Sequence, residues 1–354
     1  MNRDLRVAAG DPHASLQAIT SGNDLSAAEA EALFTRIMSG EVSSALIGAL
    51  LAALRTKGES EEEIAGAARV MRERATRVPT ARDSLVDTCG TGGDFSGSFN
   101  ISTAAAFVVA AAGIAVAKHG NRAASSRCGS ADVLEVLGVA IDLAPELVGQ
   151  SIDELGIGFL FAPRFHPAMR YAAEARREIG IRTVFNLLGP LTNPAGARRQ
   201  LVGVPSPDAV ARIAGVLREL GAEAAVVVHG MEGLDEISVC GPTRIATVRG
   251  GAVEETTIVP EDLGLPTFAR GEITGGDTRE NAAILRIVLE GRGSGAQLAV
   301  VAANAGAAIW IGGGAATFRE GVDRAQAVLD SGRAACLLDD LAALTRRLAT
   351  GARE

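Results

Sequence analysis

The four cysteines, Cys89, Cys128, Cys240 and Cys336, show no C-x-x-C spacing, which argues against a zinc site or a redox pair and for reduced thiols. Long apolar runs are also missing. The mean hydropathy is +0.22, yet the longest such stretches, Ala104 to Ala117 and Leu298 to Ile311, fall short of the roughly 20 residues that cross a bilayer. Gly113 and Asn304 interrupt them. Met1 to Asp11 mixes Arg3, Asp4 and Arg6 without a signal-peptide core, so the expected compartment is the cytoplasm and no membrane is expected as a partner. Nor is there an excess of positive charge. With 34 Lys+Arg against 42 Asp+Glu the formal charge is -8, so nothing global attracts nucleic acid, and an anionic ligand must be held locally. What remains is 354 residues, 47% hydrophobic and 3% aromatic, a globular composition with room for about two domains.

The first eighty residues predict helices only. Ser26 with Glu29 and Ser60 with Glu63 form S-x-x-E capping boxes, and Ile47, Leu50, Leu51 and Leu54 put one apolar stripe on a helix face. The stretch from Arg77 to Asp83, which contains Pro79, marks a boundary. Beyond it the period changes. Leu85 to Cys89 predicts a strand, Gly90 to Phe99 a glycine-rich loop, Ser102 to Ala112 a helix and Ile114 to Lys118 another strand, which together make a βαβ unit. A helix over Ser130 to Leu137, a strand over Leu201 to Val204, a helix over Asp208 to Leu220 and a strand over Ala225 to His229 continue the alternation into a mostly parallel sheet. His166 to Asn193 predicts a helical insertion able to pack with the N-terminal helices, Arg244 to Val259 a hairpin around Gly250-Gly251, and the chain from Thr278 on helices.

Chemistry is most visible in Asp87-Thr88-Cys89-Gly90-Thr91-Gly92-Gly93-Asp94 and in Ser98 to Thr103, at the start of an Ala-rich helix. Glycines let backbone N–H groups approach an anion, and a helix start adds unpaired donors and a positive dipole end. Two familiar nucleotide motifs do not fit. G-x-G-x-x-G from Gly90 would need glycine at Phe95, and a Walker loop from Gly92 meets Ser98 and Phe99 where Lys-Ser/Thr belongs. An unliganded βα turn is the alternative for a glycine cluster alone. A second loop runs from Lys118 through Ser126 to Ser130. Loops leaving the carboxyl ends of neighbouring parallel strands converge on one crevice, so Lys118 and Ser130 face the first loop, and the two loops suit a ligand with two phosphate-bearing ends.

Ordered matches then run along the chain: GTGGD from Gly90, FNISTAAAF from Phe99, KHGNR from Lys118, GSADVLE from Gly129, FHPAMR from Phe165, RTVFNLLGPLTNP from Arg182, GLDEIS from Gly233 and ENAAI from Glu280. On these the sequence resembles the anthranilate phosphoribosyltransferase family. The resemblance implies an α/β fold in which a small helical domain, residues 1–80 plus 166–195, packs on a larger domain with a mostly parallel sheet, residues 81–165 plus 196–354. It implies a homodimer built through the small domains, and transfer of the phosphoribosyl group of phosphoribosyl diphosphate to the amine of anthranilate in tryptophan biosynthesis.

Residue by residue, the resemblance assigns the phosphoribosyl diphosphate site to Gly90, Gly93, Asp94, Ser98, Asn100, Ile101, Ser102, Thr103, Lys118, His119, Gly120, Asn121, Arg122, Ala123, Ala124, Ser125, Ser126 and Ser130. It assigns anthranilate contacts to Gly90, Asn121 and Arg176. Magnesium, two ions per monomer, falls to Ser102, Asp235 and Glu236. The residue chemistry agrees in kind: adjacent carboxylates after a sheet strand are hard donors for a magnesium diphosphate, and a guanidinium pairs bidentately with a carboxylate. Ser98 stands where the family commonly has Thr, and Cys128 where it commonly has Ser. No general base is assigned, Asp94 and His119 being weak candidates, and the chain crossings near Val78 and Gly196 are expected hinges. The rivals are a pyrimidine nucleoside phosphorylase-like enzyme, which needs no metal pair at Asp235-Glu236, and a non-catalytic nucleic-acid-binding relative, which needs a basic groove.

Overall fold

The computed structural model describes residues 10–93, 96–123 and 127–351. Four helices come first: α1 (Pro12–Thr20), α2 (Ala27–Met38), α3 (Ser44–Lys57) and α4 (Glu61–Glu73). Both expected capping boxes are present. The second does more than cap, because Glu63 is buried and also accepts from Leu25 N at 3.0 Å and from Lys57 Nζ at 2.9 Å, clamping α4 to the chain entering α2. The stripe Ile47, Leu50, Leu51 and Leu54 is buried as its spacing requires.

The alternating part runs β1 (Val86–Gly90), α5 (Ile101–Ala111), β2 (Val116–Gly120), α6 (Ser130–Val136), α7 (Pro145–Leu155) and β3 (Ile157–Phe161). An insertion follows, with α8 (Ala162–Phe165), a 3-10 turn (Pro167–Met169), α9 (Arg170–Ile179) and α10 (Val184–Leu188). The chain then returns through β4 (Arg199–Gly203), α11 (Asp208–Glu219), β5 (Ala224–Gly230), β6 (Thr243–Arg249) and β7 (Ala252–Ile258). It ends in α12 (Thr278–Leu289), α13 (Gly295–Ile311), α14 (Phe318–Asp330) and α15 (Arg333–Gly351). Among the described residues no helix is long and apolar enough to cross a membrane.

Among the described residues one sheet of seven strands has the order β3-β2-β1-β4-β5-β6-β7, parallel through β5 and antiparallel at β6 and β7. The β6–β7 hairpin turns at Gly250 and Gly251, both at positive φ (58° and 80°), as a tight two-residue turn demands. The second predicted strand lies two residues further along than its apolar run suggests, because Val116 pairs with Ile157 and carries the strand to Gly120. Sequence reasoning left α7 and β3 unassigned, since a short run such as Ile157-Gly158-Phe159-Leu160-Phe161 has no alternation to distinguish strand from helix.

Alternation along the strands divides the core. Leu201, Val226 and Val228 face α5 and α13, whereas Val202, Val227 and Ala225 face α11 and share a cluster with the N-terminal helices. The insertion packs with those helices as expected, α9 on α2 and α3 and α10 on α3 and α4. Three chain segments cross side by side beneath them: Thr76 N donates to Phe165 O at 2.8 Å, and Val78 N to Pro194 O at 3.1 Å.

Candidate active site at the carboxyl rim of the sheet

The parallel strands point their carboxyl ends at one rim, and glycine makes that rim shallow. Gly90 ends β1 and is paired with Gly203, which ends β4. A Cβ on Gly90 would lie 2.8 Å from Asp235 Oδ2, and one on Gly203 would overlap the Asp235 carbonyl. The turn after β5 therefore lies directly on two strand ends, and it places Asp235 and Glu236 there. That turn is closed by Gly230 N to Leu234 O at 2.8 Å and pinned by Asn304 of α13, which accepts from Ile237 N at 2.9 Å and donates to Ile237 O at 3.0 Å. Asn304, which interrupts an apolar run in the sequence, is thus fully buried for a reason. Nothing in its helical surroundings could have signalled a partner 67 positions away.

Beside the carboxylates stands a buried ammonium. Lys118 Nζ donates to Thr88 O at 2.6 Å and to Ser102 Oγ at 3.3 Å. Burial lowers the Lys118 pKa, while Asp87, Cys89 and Glu236 act to raise it. Ser102, Lys118, Asp235 and Glu236 therefore form one polar group at the ends of β1 and β2, next to the start of α5. Ile101 is packed in the core, and its N–H donates to Phe99 O at 2.7 Å. Asn100 donates to Cys128 O at 3.2 Å, but its Oδ1 and the Thr103 hydroxyl are buried without partners among the described residues. Ser98 lies on a strand bridge to Thr274.

The second loop is organised by Asp132 of α6, whose Oδ2 accepts from Ala123 N and Gly129 N, each at 2.9 Å. A Cβ on Gly120 would overlap the Ser130 hydroxyl, and that hydroxyl donates to Asn121 O at 3.3 Å, so the fold brings Gly120, Asn121 and Ser130 together. Arg122 is turned the other way: its guanidinium pairs with Asp132 at 3.1 Å and with Glu135, and lies 5.5 Å from the Phe161 ring centre. Asp94, Ala124, Ser125 and Ser126 lie outside the described residues.

His119 is buried, with Nδ1 3.0 Å from Gly189 O and, among the described residues, Nε2 without a partner. Its ring centre is 5.1 Å from that of His166, which is buried with neither nitrogen bonded to a described residue. Burial, His166 and Lys118 bring His119 down to about 3, and burial brings His166 down to about 4, so both rings are neutral at physiological pH. Arg176 of α9 sits 5.3 Å over the Phe185 ring and, among the described residues, has no hydrogen-bond or ion-pair partner. Arg182, which sequence reasoning missed, reaches from the insertion onto the first loop. Its Nη2 donates to Thr91 O at 3.2 Å, and its guanidinium fills the space that a Cβ on Gly93 would need. The only available signal was its place at the head of the RTVFNLLGPLTNP stretch.

The donor set suits a hard cation that brings its own oxygens. Among the described residues no cluster of three or more His, Cys, Asp or Glu is placed to cage a metal. Two adjacent carboxylates with the Ser102 hydroxyl nearby match magnesium, which keeps few protein ligands and takes the rest from phosphate and water.

Comparison with known proteins agrees with this geometry. Residues 82–335 match the model of the glycosyl transferase family a/b domain, and residues 14–75 that of its helical bundle domain. The anthranilate phosphoribosyltransferase of Rubrobacter xylanophilus is 55% identical over 95% of this chain and 98% of its own. The chain belongs to the anthranilate phosphoribosyltransferase family. The crystal structure of the family member from Thermus thermophilus superposes with a TM-score of 0.89 at 48% identity, covering 94% of this chain and 99% of that one. The Saccharomyces cerevisiae anthranilate phosphoribosyltransferase in complex with PRPP and Mg superposes with a TM-score of 0.84 at 26% identity, covering 94% and 98%. The small helical domain on a larger α/β domain with a mostly parallel sheet is therefore the architecture of the family as well as of this chain.

Proposed function

We propose that this chain transfers the phosphoribosyl group of 5-phosphoribosyl 1-diphosphate to the amine of anthranilate, giving N-(5-phosphoribosyl)anthranilate and diphosphate, a step of tryptophan biosynthesis. The observation that carries the proposal is the seating of Asp235 against Gly90, with Lys118 and Ser102 alongside, in a member of a family named for this reaction. Carboxylates of this kind would hold a diphosphate through a bound magnesium, with Lys118 adding a positive charge of its own. The rival readings lose their footing: metal-free phosphorolysis has no use for the carboxylate pair, and the charge of -8 offers no general attraction to nucleic acid.

In the reaction a C–N bond forms at the ribose anomeric carbon as the C–O bond to diphosphate breaks, and the amine proton leaves to solvent. The charge to be stabilised gathers on the departing diphosphate. Lys118 and the backbone N–H groups of the two loops are preorganised donors for it. Asp235, Glu236 and Ser102 would hold magnesium, two ions per monomer, which when bound supplies a Lewis acid to the diphosphate oxygens. Arg176 takes the anthranilate carboxylate, Asn121 contacts the same substrate, and Gly90 lies between the two substrates. The aromatic amine is neutral at pH 7, so no strong base is required, and His119 at about 3 is too weak to serve as one. Orientation carries the step.

The helical unit, residues 1–80 plus 166–195, closes over the remainder by bending at the crossings near Val78 and Gly196. Two copies associate through their helical units, and the enzyme works in the cytoplasm. Mixing the protein with anthranilate, the phosphoribosyl donor and magnesium, and following the loss of anthranilate fluorescence, tests the proposal. Persistence of the fluorescence in the complete mixture would refute it, and omission of magnesium is the control.

A further inference from the structure

A buried carboxylate lies beneath the rim and takes no part in the chemistry just described. Asp87 on β1 is fully enclosed. Its Oδ1 accepts the backbone N–H of His119 at 3.1 Å, and its Oδ2 accepts the side-chain amide of Asn193 at 2.8 Å. Asn193 also donates to Ala117 O at 2.8 Å and accepts from Ala195 N at 2.9 Å. The two partners sit at strategic points. His119 follows Lys118 at the end of β2, where the second loop begins. Asn193 stands where the insertion returns to the sheet, one residue before Pro194, whose carbonyl holds Val78 N at 3.1 Å.

We infer that Asp87 is a positioning residue for the phosphoribosyl donor, tying the Lys118-His119 step of the second loop to the returning insertion at Asn193. The inference rests on the proposed transfer activity. Its physical basis is the count of hydrogen-bond acceptors. Two donors, His119 N–H and the Asn193 amide, converge on the two oxygens, and an ionised carboxylate accepts both. An asparagine of the same shape has one acceptor oxygen, so one of the two donors would face an NH2 group. Burial pushes Asp87 up to about 6, opposed by the Lys118 charge and by hydrogen bonds from Asn193, His119 N–H and Cys89, so at neutral pH it is an anion. As an anion it offsets the buried charge of Lys118, on which Cys89 and Glu236 also act. Asp87 thus fixes where the loop backbone starts, through its bond from His119 N–H, and ties it to the returning insertion.

The test uses purified wild type, Asp87→Asn, Asn193→Ala and the double variant, with steady-state constants for both substrates and a thermal melt for each. Wild type is the separate check on the activity: if it consumes no anthranilate, the transfer proposal fails and Asp87 is not at issue. Given active wild type, Asp87→Asn raises the donor KM about tenfold, the equivalent of roughly 1.4 kcal/mol, and moves the anthranilate KM less than about twofold. Asn193→Ala raises the donor KM about threefold. The double variant raises the donor KM by less than the product of the two single effects, because the Asp87–Asn193 hydrogen bond is shared by both substitutions. A lower melting temperature with both KM values unchanged in folded protein means a structural role only, and overturns the inference. Should Asp87→Asn fail to fold, Asn193→Ala decides alone, a raised donor KM supporting the inference and an unchanged one overturning it.

Discussion

The rim of the sheet and the inserted segment present polar side chains to the rest of the molecule in different states of commitment. At the rim, Lys118 bonds Thr88 O and Ser102, Asp132 ties two loop amides, and the turn carrying Asp235 and Glu236 rests on Gly203 and is pinned by Asn304. In the insertion, among the described residues, Arg176 faces only an aromatic ring and both nitrogens of His166 are unbonded. Buried polar groups without partners cost stability, so they persist where a ligand completes them. Under the proposed function the rim would be the donor half of the site, largely tied together by folding, and the insertion would be the acceptor half. Even at the rim, His119 Nε2, Asn100 Oδ1 and the Thr103 hydroxyl also lack partners among the described residues.

The largest effect that can sharpen this contrast comes from the rim. Changing Asp235→Asn together with Glu236→Gln removes the charge that would hold magnesium while keeping shape, and is expected to lower turnover by roughly 100-fold or more at fixed magnesium. A magnesium titration of initial rates checks it, and a curve that overlays wild type breaks the metal assignment. Arg176→Ala is expected to act more narrowly, raising the anthranilate KM about tenfold while the donor KM stays within about twofold, since one guanidinium–carboxylate pair is lost. Equal increases in the two KM values would erase the distinction between the halves.

How much of this was legible in the sequence follows the same division. The rim was legible because its chemistry is local: glycines clustered between a strand and a helix, hydroxyls at the helix start and adjacent carboxylates after a strand each announce themselves within ten residues. The helices of the small domain were legible through capping boxes and an apolar stripe, which are local too. Long-range partners were not. Asn304 under the carboxylate turn, Asp87 under the second loop, and Arg182 on Gly93 each owe their place to chain segments joined only by the fold. The strand Ile157–Phe161 escaped notice for the related reason that a short apolar run acquires its conformation from the neighbour with which it pairs. Arg122, placed in the donor site by resemblance alone, pairs with Asp132 and Glu135, which are 10 and 13 positions along the chain.

The smallest effect separates the two regions by pH. His166 belongs to the insertion and His119 to the rim, and both are brought below their ordinary 6.5, to about 4 and about 3. In the unfolded chain both bind protons from pH 6.5 downward, but in the folded chain they do not until much lower, so acidification favours unfolding across that window. Asp87 works in the opposite direction, since its folded value of about 6 lies above its ordinary 3.8 and the folded state gains stability as pH falls between the two. Two histidines outweigh one aspartate, which leaves a net loss on the order of a few kcal/mol between about pH 6.5 and 4. Thermal melts followed by circular dichroism should therefore show the midpoint falling over this range. His166→Gln, which cannot titrate, should remove most of the fall, because the remaining histidine and Asp87 nearly offset each other over this range. A midpoint that holds steady down to about pH 4 in the wild-type protein, or an equal slope in the variant, would mean that the histidine pair is solvated and that the insertion is as fully committed as the rim.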